Sequence, residues 1–100
     1  MSIKIGDIEF AKSKEAQYVV TRYGSDTIGI RARVQSGKDL KQTEEQLYKL
    51  REGRTVEIEI LNEDGNVIKG TYKINELNWK KERKDSGDYE LVFNVGLQKQ

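Results

Sequence analysis

The stretch that decides the fold is DLKQTEEQLYKLR, residues Asp39–Arg51, followed by the alternating pattern VEIEI at Val56–Ile60. Its apolar stripe recurs at the spacing of one helical face: Leu40, Thr43, Leu47 and Leu50. Asp39 with Gln42 has the form of a capping box, and Gly53 is placed to stop the helix in a left-handed conformation. We therefore predict one helix over Asp39–Arg51 that lies across a sheet.

Alternating apolar and polar residues predict strands on both sides of this helix. The predicted strands are Gln17–Tyr23, Thr27–Gln35, Val56–Ile60, Val67–Lys80 and Leu91–Leu97. Turns are predicted at Gly24–Asp26, at the Asp-Gly signal within Glu63–Asn66, and at Lys84–Asp88. A change of phase near Asn75-Glu76 predicts a bulge in a long strand, and the unbroken alternation of the last strand predicts a position inside the sheet.

The N-terminal segment alternates less regularly. Ile3 and Ile5 are out of phase with Ile8 and Phe10, and the break falls at Gly6-Asp7. This pattern is compatible with a bulged strand or with a short hairpin. We interpret residues 1–10 as a candidate extended arm on a single domain that covers residues 1–100.

Together these elements predict an α+β domain. We expect a mainly antiparallel, curved sheet of about five to seven strands, sandwich-like or barrel-like, with one helix packed on it. The expected core is Ile28, Ile30, Val34, Leu40, Leu47, Leu50, Val56, Ile58, Ile60, Tyr72, Ile74, Leu91, Phe93, Val95 and Leu97.

Composition restricts the chemistry. The chain has no His and no Cys, which removes the residues most used in nucleophilic, acid-base and thiolate-metal chemistry. The 18 basic and 17 acidic residues leave a net charge of +1, so no global field favours nucleic acid or an anionic membrane. No stretch has the pattern of a signal peptide or a membrane span. We expect a soluble, non-enzymatic protein without cofactor or metal, located in the cytoplasm.

Two acidic clusters are given structural interpretations. Glu57 and Glu59 share one face of a strand, which is typical of a solvated sheet surface. Asn62–Asn66 has oxygen ligands around a glycine, but it lacks the acidic ladder and closing glutamate of a calcium loop, so we interpret it as a hairpin turn. The glycines form no phosphate-binding fingerprint. No catalytic, metal-binding or cofactor-binding residue is predicted.

The candidate interaction surface centres on the basic run Trp79–Lys84. Its residues are Trp79, Lys80, Lys81, Arg83 and Lys84, with Arg31 and Arg33 as possible additions from an earlier strand. An aromatic residue beside cations is compatible with nucleic-acid binding. The alternative is a hairpin whose lysines protect a sheet edge, with Trp79 packed on the core. Arg31 and Arg33, like Arg22, are also candidates for pairing with Glu57 and Glu59 across the sheet.

The order of elements from Thr27 to Gln98 resembles small tail proteins of tailed phages and tail-like particles, including the phage tail protein U group. The resemblance is carried by the leucine-bearing helix, by Gly70-Thr71-Tyr72-Lys73-Ile74, by the charged connection Asp85–Asp88 and by Phe93-Asn94-Val95-Gly96-Leu97. The first 26 residues depart from the pattern of that group.

This resemblance implies a structural, non-catalytic subunit of a tail or baseplate. Its partners would be further copies of itself and other tail proteins, and its location would be the virion or tail-like particle. The contacts would come from protruding segments and sheet edges, for which residues 1–10 and Leu77–Tyr89 are the first candidates. A nucleic-acid-binding module that uses the basic hairpin is the alternative function.

Overall fold

The computed structural model describes residues 2–11, 16–35, 37–62, 64–85 and 87–100. In chain order the elements are β1 (Ser2–Ile5), β2 (Ile8–Ala11), β3 (Ala16–Tyr23), β4 (Thr27–Gln35), α1 (Gly37–Lys49), β5 (Thr55–Leu61), β6 (Val67–Arg83) and β7 (Tyr89–Lys99). The described strands form one sheet in the order β2-β1-β5-β6-β7-β4-β3, and every pairing is antiparallel. The predicted antiparallel sheet with one helix is confirmed, as is the interior position of β7.

The sheet is open but strongly curled. Phe10 on β2 and Tyr18 on β3 belong to the two outermost strands, yet their ring centroids are 6.3 Å apart. Both rings also contact Phe93 on the interior strand β7, at 5.6 Å and 6.0 Å. The two ends of the sheet therefore meet through side chains across the core, while the strand order itself ends at β2 and β3.

The core occupies the concave side of this curl. All residues of the predicted core are buried, including Phe93 and Val95 of β7 and Leu47 of α1. Further residues that the sequence analysis did not place in the core are also buried: Ile3, Ile5, Phe10, Tyr18, Ala32 and Ile68. Most of these additions lie on β1, β2 and β3, so the core extends to the two ends of the sheet.

The N-terminal segment is a hairpin of the sheet. Ile5 pairs with Ile8 across a tight turn at Gly6-Asp7, where Gly6 has a φ of +60°. β1 also pairs along its whole length with β5, and the Gly6 N–H donates to the carbonyl of Glu57 at 2.8 Å. With Ile3 and Phe10 buried, this segment is not an extended arm. Of the two patterns considered, the short hairpin is the correct one.

The helix is displaced from its predicted range. α1 begins at Gly37 and ends at Lys49, so Asp39 belongs to the first helical turn and is not the cap. Gly53 has the expected positive φ of +84°, but its N–H donates to the carbonyl of Ile74 at 2.7 Å. The prediction that Gly53 stops the helix is wrong, because the chain leaves α1 earlier and this glycine docks the connection onto β6.

The predicted bulge is present in β6. Its register against β7 shifts between Ile74 and Glu76, and the amide of Leu77 donates to the Glu52 side chain at 2.9 Å. β5 accompanies β6 only as far as Lys73. Beyond that point β6 continues to Arg83 beside β7, and no described strand lies on its other side. β4 accompanies β7 as far as Glu90, the partner of Glu82, so the hairpin does not project beyond the sheet, and it is the outer side of β6 from Glu76 to Arg83 that lacks a described strand.

Candidate interaction surface

The basic run does not form one surface, because its residues alternate between the two faces of β6. Directly opposite residues of antiparallel strands share a face. Trp79 lies opposite buried Phe93 and is therefore on the concave face, whereas Lys80 lies opposite Val92 on the convex face. Lys81 lies opposite buried Leu91 and shares the face of Trp79. The structure therefore separates the aromatic residue from its nearest predicted cation.

Trp79 serves the packing of the helix. Its side chain is half-buried and packs against the core cluster. Its ring meets the ring of Tyr48 on α1 edge to face, with centroids 5.1 Å apart and planes at 85°. This geometry is favourable for aromatic pairs, and the Tyr48 ring covers one side of the indole. The contact supports the interpretation of Trp79 as a packing residue.

Cations on the convex face lie beside carboxylates. Arg33 Nε is 2.7 Å from Glu90 Oε1, and Lys84 Nζ is 3.7 Å from Glu90 Oε2. The Glu90 side chain is only 12% exposed, which strengthens its attraction to both cations relative to a fully hydrated carboxylate. The contact with Arg33 is ionic, because Oε1 of Glu90 accepts no hydrogen bond of good geometry. This end of the face is thus a mixed charge network.

Lys80 and Glu82 form a second pair on the same face. Lys80 Nζ is 2.7 Å from Glu82 Oε1. The hydrogen bond from Lys80 and then its positive charge lower the pKa of Glu82 from its ordinary value. The same hydrogen bond and the charge of Glu82 raise the pKa of Lys80. Both groups stay charged at neutral pH and offset one another locally.

On the concave face, the Lys81 ammonium lies 5.4 Å from the centre of the Tyr89 ring, within the range of a cation–π contact. Arg31 lies on the convex face opposite Asn94. Neither arginine of β4 pairs with the glutamates of β5, as one alternative had expected, because β6 and β7 lie between these strands. Glu59 instead lies 3.8 Å from Lys69, and Glu57 accepts a hydrogen bond from Thr71.

A shallow groove crosses the convex face over β3, β4 and β7, with a volume of about 630 Å³. Its floor is backbone, because Gly29 and Gly96 lie directly opposite one another on β4 and β7. The Tyr23 ring covers Gly29 so closely that a Cβ there would lie 2.8 Å from it. Arg31 and Asn94 line the groove as well. This feature could not be predicted from the sequence, because glycines that lie opposite one another on different strands are recognised only once the register is known.

The edge formed by β3 is the other feature that was missed. β3 ends the strand order and pairs on one side with β4 along its entire length. Val19 and Tyr23 point to the convex face and are 60% and 64% exposed. The sequence signal was the apolar content of both faces of Tyr18–Tyr23, which is unusual for a strand that ends a sheet.

Over the described ranges, no cluster of three or more Asp or Glu side chains is arranged to hold a metal ion. The helix in that part of the chain is too short and too polar to cross a bilayer. Comparison with known proteins adds no relative: no protein-family model, no curated protein and no solved structure matches this chain.

Proposed function

We propose that this protein is a structural, non-catalytic subunit of a phage tail or tail-like assembly, and that it acts through protein–protein contacts in an oligomer. The observation that carries the proposal is the outer edge of β6, which extends from Glu76 to Arg83 without a described strand beside it. An edge of this kind can pair with a strand of a neighbouring subunit.

The resemblance to small tail proteins supports the same proposal. Its motifs have clear structural roles here: Phe93, Val95 and Leu97 are the buried face of β7, and Tyr72 and Ile74 are buried on β6. Gly70 leaves room for the Tyr72 ring, because a Cβ at Gly70 would lie 3.3 Å from that ring. The residues of the shared pattern therefore build the core, and the function depends on the surfaces around it.

Nucleic-acid binding is the weaker alternative. It predicts an affinity that falls steeply with salt, because phosphate contacts release counterions. The placement of Trp79 and Lys80 on opposite faces and the pairing of Lys80 with Glu82 do not favour it. A mobility assay with single- and double-stranded DNA and RNA at low salt distinguishes the two functions, since the structural subunit gives no shift.

The test of the proposal is the solution mass of the protein by light scattering across a wide range of concentration. We expect self-association in the wild type. Replacing residues 82–90 by Asn-Gly, which joins the paired residues Lys81 and Leu91 by a short turn, should reduce the mass and preserve cooperative unfolding. None of the described residues of this segment belongs to the buried core, so the fold should tolerate its loss.

A wild type that is monomeric at every concentration and also fails to bind tail proteins would refute the proposal. Deletion of residues 1–10 is not a suitable test, because it would remove the buried side chains of Ile3, Ile5 and Phe10 and would damage the core itself. The hairpin variant separates assembly from folding more cleanly.

A further inference from the structure

We propose that the groove on the convex face over β3, β4 and β7 is a binding site for a neutral oligosaccharide, with the Tyr23 ring as the platform on which one sugar unit stacks. This binding activity is separate from the self-association proposed above and does not depend on it. The ligand class follows from the glycine floor of the groove, from the polar side chains beside it and from the balance of its charges.

Gly29 forms the floor at a place where its own backbone does not require glycine. β4 pairs with β3 and with β7 around Gly29 without a register shift, and Gly29 is not among the glycines with positive φ. A glycine inside a strand weakens it and often marks the close approach of another group. That group is the Tyr23 ring, because a Cβ at position 29 would lie 2.8 Å from Cε2 of Tyr23. Gly29 therefore allows this ring to lie directly on the strand.

The Tyr23 ring is seated but not buried. Tyr23 remains 64% exposed, so its contact with Gly29 removes only part of the ring from water and gives little stabilisation. A tyrosine ring offers an apolar face with a polar hydroxyl at its tip. The C–H groups on one face of a pyranose ring pack on such a surface, while the sugar hydroxyls point outwards to polar neighbours. A ring held in this way is prepared for stacking.

A row of polar side chains runs beside the ring on the same face. Arg31 lies opposite Asn94, which lies opposite Asn78. Asn94 Nδ2 donates to Asn78 at 3.2 Å, and Asn78 Nδ2 donates to Glu76 at 2.9 Å. These bonds orient the side chains and use only part of their donors and acceptors. Within the part of the chain that the structure describes, Arg31 has no ion-pair partner.

Such a mixed set of side chains matches hydroxyl groups. Arg31 only donates, Glu76 only accepts, and Asn94 does both, whereas a hydroxyl donates one hydrogen bond and accepts others. Arg31 and Glu76 are also the charged side chains that line the groove, so its charges sum to zero. Nucleic acid requires an excess of cations to neutralise its phosphates. The groove therefore favours a neutral ligand that is rich in hydroxyls.

The strand order disfavours a peptide as the ligand. Extended peptides bind sheets mainly by main-chain hydrogen bonds to an unpaired strand edge. The floor of the groove belongs to β4 and β7, and each of these strands is already paired on both sides. Recognition at this floor must come from side chains and from stacking, which is the way a saccharide is bound.

The test is a titration of the ¹⁵N-labelled protein with cellotetraose, chitotetraose and maltotetraose, followed by amide chemical shifts. Tetragalacturonate is the acidic counterpart. We expect saturable shifts of the Gly29, Arg31 and Gly96 amides with at least one neutral tetrasaccharide. The absence of saturable shifts with all three, shifts that lie elsewhere on the protein, or binding of tetragalacturonate alone would overturn the proposal.

Variants of the platform complete the test. Tyr23→Ala should weaken binding about tenfold by removing the stacking surface. Gly29→Ala keeps the tyrosine but displaces its ring, so it should weaken binding as well. Tyr48→Ala is the matched control, because Tyr48 is 66% exposed and lies on α1 away from the groove. Circular dichroism and urea unfolding establish that each variant keeps the fold. Equal affinities of the wild type and Tyr23→Ala would overturn the proposal.

Discussion

The two ends of the sheet, β2 and β3, differ in a way that their sequences do not reveal. β2 is short, its Phe10 is anchored in the core, and the carbonyl of Glu9 is bound by Gln46 from the helix. β3 is twice as long, and Val19 on its convex side is exposed. Both strands bury a ring in the same cluster, Phe10 on β2 and Tyr18 on β3, and among the described contacts the helix also bonds the backbone of β2. The comparison shows that the contacts of an edge strand depend on which distant elements reach it.

The largest expected effect tests whether β2 is fixed by the core. In Phe10→Ala, the ring that contacts Tyr18 and Phe93 is lost and a cavity is left where the two ends of the sheet meet. Removal of a buried phenylalanine costs about 3–5 kcal/mol of the free energy of unfolding. Urea unfolding followed by circular dichroism measures it.

Val19→Ala on β3 is the comparison for this change. Because Val19 is 60% exposed, its truncation should alter the free energy of unfolding of the monomer by less than about 0.5 kcal/mol. Measurements at low protein concentration keep any self-association out of the result. Similar losses for Phe10→Ala and Val19→Ala would contradict the distinction between an anchored and an exposed edge.

A smaller effect is expected from the hydrogen bond between helix and edge. Gln46→Ala removes the donor to the Glu9 carbonyl, and a typical intramolecular hydrogen bond contributes about 0.5–1.5 kcal/mol. Gln42→Ala is the matched control, because Gln42 is an exposed glutamine on the same helix. Its replacement by alanine raises the helix propensity by the same amount. Equal free energies of unfolding for the two variants would show that the bond does not stabilise β2.

Much of this fold follows from local patterns. The alternation of Leu91, Phe93, Val95 and Leu97 identified an interior strand, and the phase change at Asn75-Glu76 identified the bulge. These predictions succeed because a residue's place on a strand face depends on its own sequence neighbours. The N-terminal segment was less predictable, because a hairpin and an extended arm have the same short alternation in the sequence. The pairing of β1 with β5 distinguishes them.

The candidate surface was predicted less well, for the same physical reason. Trp79 and Lys80 are adjacent in sequence, and a cluster in sequence suggested a cluster in space. A strand places neighbours on opposite faces, so such a run cannot form one patch. The partners of the cations, above all Glu90 for Arg33, depend on strand order, which the sequence alone leaves open. The exposure of Val19 on β3 also depends on the strand order.

The smallest effect tests the charged part of the outer β6 edge. Because Lys80 lowers the pKa of Glu82, the carboxyl of Glu82 should titrate below its ordinary value of 4.5 in the wild type. In Lys80→Gln its pKa should rise towards that value. Lys69→Gln, which removes the cation near Glu59, is the control and should leave the pKa of Glu82 unchanged. Carboxyl chemical shifts followed by NMR between about pH 2 and 7 span the ordinary range of this group.

The direction of the linked stability follows from this shift. A carboxyl whose pKa is lower in the folded state contributes stability above its unfolded pKa and loses it as the pH falls through the folded pKa. For Glu82 the loss therefore occurs on the acid side of 4.5. Both side chains are exposed to solvent, which keeps the contribution small. An unchanged titration of Glu82 in Lys80→Gln would contradict the pairing of these two side chains.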